Sequence, residues 1–324
     1  MKKCFVTALI GLLCSGSALA QQSPEQLKTL MQVEDSLKGP ALDMIRAEEP
    51  ADRFIADSLF TRMLVRALKT PHSFHYPFDS VITVSKLYAP DSAFRIFTWQ
   101  LVVHENMVRQ KGAIQMKTAD GSLKLFPLID MSDDIDRIED TITNHKAWVG
   151  ALYYKIILTQ RGGQPVYTLL GFDENNFRSS RKYIEILQFK EGEPVFGDRI
   201  FTVPNNTLYP QTTARLVMEY KKDASARLTY DEDLQLIAKE HLISETNEPN
   251  KKYTLVGDGD YEGFKWMEDK WVYISKIFTQ VTPENEVPMP SKLLNDDGSF
   301  DASKMPDMDG IPDTKEKNKK KKKP

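Results

Sequence analysis

Beyond residue 14 the chain contains no cysteine, because its two cysteines, Cys4 and Cys14, both lie within the first twenty residues. Removal of those residues leaves a chain with no disulfide, no thiolate metal site and no thiol nucleophile, so stability must rest on a packed core. Long apolar runs are equally scarce. The most apolar internal stretch, Trp148 to Leu158, is interrupted by Lys155 and is shorter than the ~20 residues of a membrane-spanning helix. There is no excess of basic charge. The formal net charge is −3, which gives a nucleic-acid role no electrostatic support. G-x-S-x-G, P-loop and G-x-G-x-x-G motifs are missing. Gly257, Gly259 and Gly263 approach the last pattern, but their acidic neighbours would repel a pyrophosphate and the segment reads as a turn.

What is present begins with an export pattern. Lys2 and Lys3 form a positive start, Phe5 to Leu13 an apolar segment, and Ala18-Leu19-Ala20 a small-x-small cleavage site. The reading is a signal peptide over 1–20, cut before Gln21, and a periplasmic or secreted product. Lipid attachment at Cys14 is disfavoured by Leu13, since that chemistry wants a small residue before the cysteine.

The next part, 21–75, reads as helical. Ser23 with Gln26 makes a capping box, Pro24 fits the first turn, and Leu27, Leu30 and Met31 share a face up to a stop at Gly39-Pro40. A second helix is expected over Ala51–Leu68, with Ile55, Leu59, Met63, Leu64 and Leu68 as its apolar stripe. From 76 to 281 the period changes to two. Strands are expected at Val81–Tyr88, Phe94–Val103, Met107–Thr118 and Leu123–Ile129, the last at an edge because of Pro127. Ser132 should cap a short helix lined by Ile135, Ile138 and Ile142. Further strands follow at Gly150–Gln160, Val166–Phe172, Lys182–Phe189, Val195–Val203, Arg215–Tyr220, Ala226–Tyr230, Leu234–Leu242, Tyr261–Trp266 and Trp271–Phe278. The fold class is therefore mainly β (α+β): stacked antiparallel meander sheets with two N-terminal amphipathic helices. A propeller ranks lower, since too few four-strand groups are present to close a ring. From 282 to 324 spaced prolines and charged residues, ending in Lys319 to Lys323, predict a disordered tail. Residues 312–324 carry seven lysines against Asp313 and Glu316; with the two signal lysines also set aside, the body carries −10. An acidic body with a basic end gives the tail a possible weak contact with anionic surfaces.

Three segments are distinctive together: Tyr88-Ala89-Pro90-Asp91-Ser92-Ala93-Phe94-Arg95-Ile96-Phe97-Thr98-Trp99, Leu169-Leu170-Gly171-Phe172-Asp173 and Tyr261-Glu262-Gly263-Phe264-Lys265-Trp266. In these the chain resembles an uncharacterised family of exported Bacteroidetes proteins with no assigned activity. The resemblance spans most of 50–280, implies an exported stand-alone domain, and transfers no catalytic residue.

Candidate chemistry is sparse. His72 and His75 have a ligand-like spacing but lie in a proline-bounded loop. His104-Glu105 would suit acid–base work inside a cleft, although polar residues are also expected at a strand end. Asp133, Asp134, Asp136, Glu139 and Asp140 could gather on a cation or simply favour a helix start. Asp307 to Asp313 looks like a single fragment of a calcium-binding repeat with too few ligands. Trp99, Trp148, Trp266, Trp271, Tyr153, Tyr154 and Tyr273 could form a platform for sugar rings or peptide, or sheet core. No catalytic, cofactor-binding or metal residue is assigned. The expected function is a non-catalytic envelope or periplasmic protein that binds or scaffolds an envelope protein or glycan. The alternatives are a carboxylate- or His-based hydrolase in a cleft between sheets, favoured by clustered carboxylates, and a surface carbohydrate-binding module, favoured by an exposed row of aromatics.

Overall fold

A computed structural model describes residues 22–104, 107–203 and 213–277. The expected signal peptide over 1–20, Glu105, the loop containing Pro204 and Pro210, and the expected tail from 282 onward lie outside the described residues.

Helix α1 spans Pro24–Arg46 and starts with the expected capping box: Gln26 N–H donates to Ser23 Oγ and Ser23 N–H to Gln26 Oε1. It does not stop at Gly39-Pro40. Proline removes one helical hydrogen bond and costs about 3 kcal/mol in a helix interior. Burial of Leu37, Ala41 and Met44 against the sheet offsets that cost, and Thr83 Oγ1 donates to the Ala41 carbonyl at 2.7 Å. Helix α2 spans Pro50–Leu68, but its buried stripe is Ala56, Phe60, Leu64, Ala67 and Leu68. Ile55, expected in the core, is 64 % exposed, and Leu59 also faces outward. The two alanines present little bulk on the packed side, and Phe60 lies edge-on to Trp99 at 5.3 Å.

Four strands form the first sheet in the order β1-β2-β3-β4: β1 Ser85–Tyr88, β2 Phe94–His104, β3 Met107–Met116 and β4 Lys124–Ile129. The first is shorter than expected, because Val81 and Val84 are buried in a turn below the helices. Pro127 does sit on the edge strand. That edge is covered: Ile129 N–H donates to the His145 carbonyl and Trp148 N–H to the Ile129 carbonyl, each at 2.8 Å.

Residues 132–142 do not form the expected helix; only a 3₁₀ turn, Ser132–Asp134, is present. Tertiary partners take the groups a helix would use. The Asp130 carboxylate accepts from the N–H groups of Gln110, Ser132 and Gly150. Arg215 claims the carbonyls of Ile138 and Thr141.

The second sheet runs β5-β9-β8-β7-β6, from β5 Thr143–Asn144, β6 Leu152–Arg161, β7 Gln164–Asp173, β8 Ser179–Lys190 and β9 Glu193–Phe196. The expected strand Val195–Val203 breaks after Phe196, where Gly197 takes a φ of +91°. Its remainder is β10, Phe201–Thr202. Strand β11, Arg215–Lys221, pairs with the first half of β8. The third sheet has the order β10-β15-β14-β13-β12, with β12 Leu228–Asp231, β13 Leu236–Ser244, β14 Leu255–Met267 and β15 Lys270–Ile274. Its β10–β15 pair is parallel, an exception to the antiparallel pattern. Strand β14 begins at Leu255, six residues before the expected Tyr261.

These parts stack as four layers. Phe97, Trp99 and Leu101 of β2 face the helices, where they join Leu37, Met44, Phe60 and Leu64. Phe94 and Ile96 face the other way, onto Trp148, Tyr153, Leu169 and Leu187 of the second sheet and its approach. The far face of that sheet presents Ile157, Leu170, Ile184 and Ile186 to Ile237, Phe264 and Trp271 of the third. Two covered faces explain the nearly continuous apolar runs of β2 and β7.

Candidate functional site

Each residue group singled out by sequence has a structural position. His104 ends β2, exposed, in an open groove lined also by Glu48, Arg53, Met107 and Phe177. Arg53 ties the α1–α2 turn to the strand, donating to the carbonyls of Ala47 at 2.6 Å and Val102 at 2.7 Å. His72 and His75 serve the loop itself. The His72 N–H donates to the Gly121 carbonyl and its ring fills the space a Gly121 side chain would need. His75 stacks edge-on to Phe74, and burial lowers its pKa below the usual imidazole value.

The acidic segment disperses rather than converging. Asp133 pairs with Arg109 and Asp140 with Arg137, while the Glu139 carbonyl accepts from Ala214 and Arg215. Among the described residues no group of three or more His, Asp or Glu is placed to hold a metal ion. Most of the aromatics are core: Trp148, Trp271 and Tyr153 are fully buried and Trp99 nearly so, whereas Tyr154 is exposed. Half-buried Trp266 packs on Trp271 at 5.4 Å, and the Tyr154 hydroxyl donates to the Leu228 carbonyl. The glycines of 257–263 are in a strand, not a turn. Gly263 is required there, because a side chain would collide with the Ile237 carbonyl.

Polar groups unmarked by sequence pattern hold the layers together. Arg215 Nε donates to Glu185 Oε1 at 2.6 Å, Tyr153 donates to the other carboxylate oxygen, and Trp148 Nε1 donates to the Tyr153 hydroxyl at 2.8 Å. Burial, reinforced by the Glu185 charge, drives the Tyr153 pKa far up. Arg95 lies in a box of Phe74, Phe78, Tyr88 and Phe97 rings, donates to Gln115 and to the Ser73 carbonyl, and is pushed down by burial to about 10. Asp173 accepts from Gln110 Nε2 at 3.0 Å, and burial raises its carboxyl. These groups are enclosed and spent on structure.

The accessible chemistry lies elsewhere, in a groove of about 400 Å³ on the outer face of the first sheet beside α2. Antiparallel register sets Trp99, Lys111 and Ile129 side by side across β2, β3 and β4. Alternation puts Arg109 on the same face, about 7 Å along the strand from Lys111. Trp99 is the floor at 3 % exposure, Pro127 and Ile129 form one wall, and Thr61 of α2 the other. Trp99 Nε1 donates to Asp57 Oδ1 at 3.1 Å, which anchors the floor to α2. Lys111 Nζ is 3.7 Å from Asp57 Oδ2, beyond hydrogen-bond reach. Arg109 uses one terminal nitrogen on exposed Asp133. The groove thus sets Lys111 and Arg109, with their partners Asp57 and Asp133 and the lining Asp130, beside an apolar surface. No sequence motif marks it, although the alternation Arg109-x-Lys111 on an otherwise acidic body was a visible trace.

No family model, curated protein or solved structure matches the chain.

Proposed function

We propose that the protein is exported through a cleavable signal and acts without catalysis, as a binding or scaffolding protein of the envelope or periplasm. Its partner sits in the groove beside α2. One observation carries this reading: a groove over the Trp99 floor brings half-exposed Lys111 and Arg109, paired with Asp57 and Asp133, next to Ile129, which is 47 % exposed. Half-exposed cations beside exposed aliphatic surface have the chemistry of an interface. The deeply buried ionisable groups, Arg95, Glu185 and Arg215, are occupied in joining layers. The pattern of residues 1–20 and the resemblance to exported Bacteroidetes proteins support the export part of the reading.

Two measurements test it. N-terminal sequencing of the exported protein should begin at Gln21; a start at Cys14 with an added lipid mass would refute cleavage after Ala20. A photo-crosslinking residue at Thr61 or Ile129 should give discrete adducts in the producing cell. The same residue at exposed Lys265, on the third sheet, should not. Equal labelling at both places would remove the groove from the reading.

A further inference from the structure

We infer that the outward stripe of α2 pairs with the same stripe of a second copy of the chain, antiparallel and about a two-fold axis, with Ile55 opposite the partner's Leu59. The inference does not depend on the groove, and the stripe is separate from Thr61, the α2 residue that lines it. Asp52, Ile55, Leu59, Arg62 and Arg66 succeed one another at spacings of three and four residues, which gathers them on about a quarter of the helix circumference. All five are exposed. Ile55 is 64 % exposed, and Leu59 and neighbouring Phe54 are 40 % and 48 % exposed. Adjacent apolar groups left in water in this way mark an interaction surface, and alternating spacings of three and four form the seam along which two helices pack.

Charge identifies the occupant. The other ionised side chains of α2 are engaged within the chain: Asp57 accepts from Trp99 and lies beside Lys111, and Arg53 holds the carbonyls of Ala47 and Val102. Those of the stripe are not. Among the described residues Asp52 and Arg66 have no side-chain partner, and Arg62 donates only to the Ser58 hydroxyl. The stripe is acidic at its start, apolar in its middle and basic at its end. A copy laid alongside in the same direction would set like charges side by side. A reversed copy matches it. Ile55 and Leu59 lie two residues either side of position 57, and Asp52 and Arg62 lie five either side. An axis at that level therefore brings Asp52 to the partner's Arg62 at the same time as Ile55 to the partner's Leu59. Arg66 then faces the exposed Glu48 and Glu49 of the partner subunit, in the turn before α2. Two-fold symmetry makes every match twice. The helix dipole favours acidic groups at a helix start and basic ones at its end, but it does not require them on the apolar stripe or at matched distances from its middle.

Sedimentation velocity of the purified, signal-free chain at low salt tests the inference. A shift from monomer to dimer is expected between about 1 and 100 µM, the range of a modest interface. D52R and R62E each set like charges together at both symmetry-related contacts, so each alone should dimerise about tenfold or more weakly than the parent. Mixed in equal amounts they should recover a heterodimer, because both mixed contacts again join opposite charges. I55Q, which removes the apolar centre without adding charge, should also weaken the dimer. Circular dichroism of each variant at dilute concentration should match that of the parent. Three results would overturn the proposal: a monomer at every concentration, a charge reversal that dimerises as the parent does, or a mixture that associates no better than its components. If a reversal variant does not fold, I55Q decides, and undiminished dimerisation by it overturns the pairing.

Discussion

Arg215 and Glu185 meet almost without solvent contact, and each has further hydrogen bonds that complete its valences. Breaking such a pair from one side leaves a charge with no partner. Arg215→Met should cost about 3–5 kcal/mol in urea unfolding. Adding Glu185→Leu should cost less than the two single losses together, because the stranded charge is gone. A single loss below about 1 kcal/mol would mean that the pair is not the tie between the loop 138–143 and the second sheet. Two carboxyls give stability opposite slopes with pH. Burial works to raise Glu34, but hydrogen bonds from Tyr76 and Ser80 outweigh it and hold the group low. Its stabilisation is complete above the unfolded-state value and is lost as pH falls through the lowered folded value. Asp173 is raised by burial, so its contribution is present below the unfolded value and is lost as pH rises through the raised one. Unfolding measured between about pH 3 and pH 7 should therefore show Glu34→Gln removing part of the acid-side loss and Asp173→Asn removing part of the decline toward neutrality.

At the scale of elements, α1 shows how tertiary contacts override local signals. Gly39 lies inside the helix with open space where a side chain would project. Gly39→Ala should raise stability by about 0.5–1 kcal/mol, since alanine loses less backbone freedom on helix formation. A melting temperature at or below that of the parent would contradict a continuous helix. The capping box at Ser23 and the edge position of Pro127 are legible in the sequence, because they follow from local sterics and hydrogen bonding. In α2, Leu64 and Leu68 are buried as expected, but Ile55 and Leu59 are not, because they repeat as regularly as Ala56 and Phe60. Periodicity alone does not choose between two stripes offset by one residue when one consists partly of alanine.

For the whole molecule, layering predicts an order of protection. Strands β7 and β8 lie in the middle sheet with apolar contacts on both faces. The helices cover one outer face and leave Phe54, Ile55 and Leu59 in water. Hydrogen exchange followed by mass spectrometry should find the amides of β7 and β8 slowest and those of α1 and α2 faster, because opening an outer layer exposes one interface rather than two. Equal rates would indicate that the four layers open as one cooperative unit.

Sequence by itself determined the kind of layers present: two helices, then strands of period two. These are local properties, set by side-chain volume, cap residues and turn residues acting over a few positions. It also determined that the body lacks cysteine and is therefore held by packing. Only the tertiary structure decided which stripe of α2 is buried, why 132–142 is not a helix, and that β10 pairs in parallel with β15. It alone assembled the groove, since Thr61, Trp99, Lys111 and Ile129 come from four elements and meet through strand register and helix docking. Contacts between distant segments depend on which partner satisfies a buried carbonyl or covers an apolar face, and no single stretch of chain carries that information.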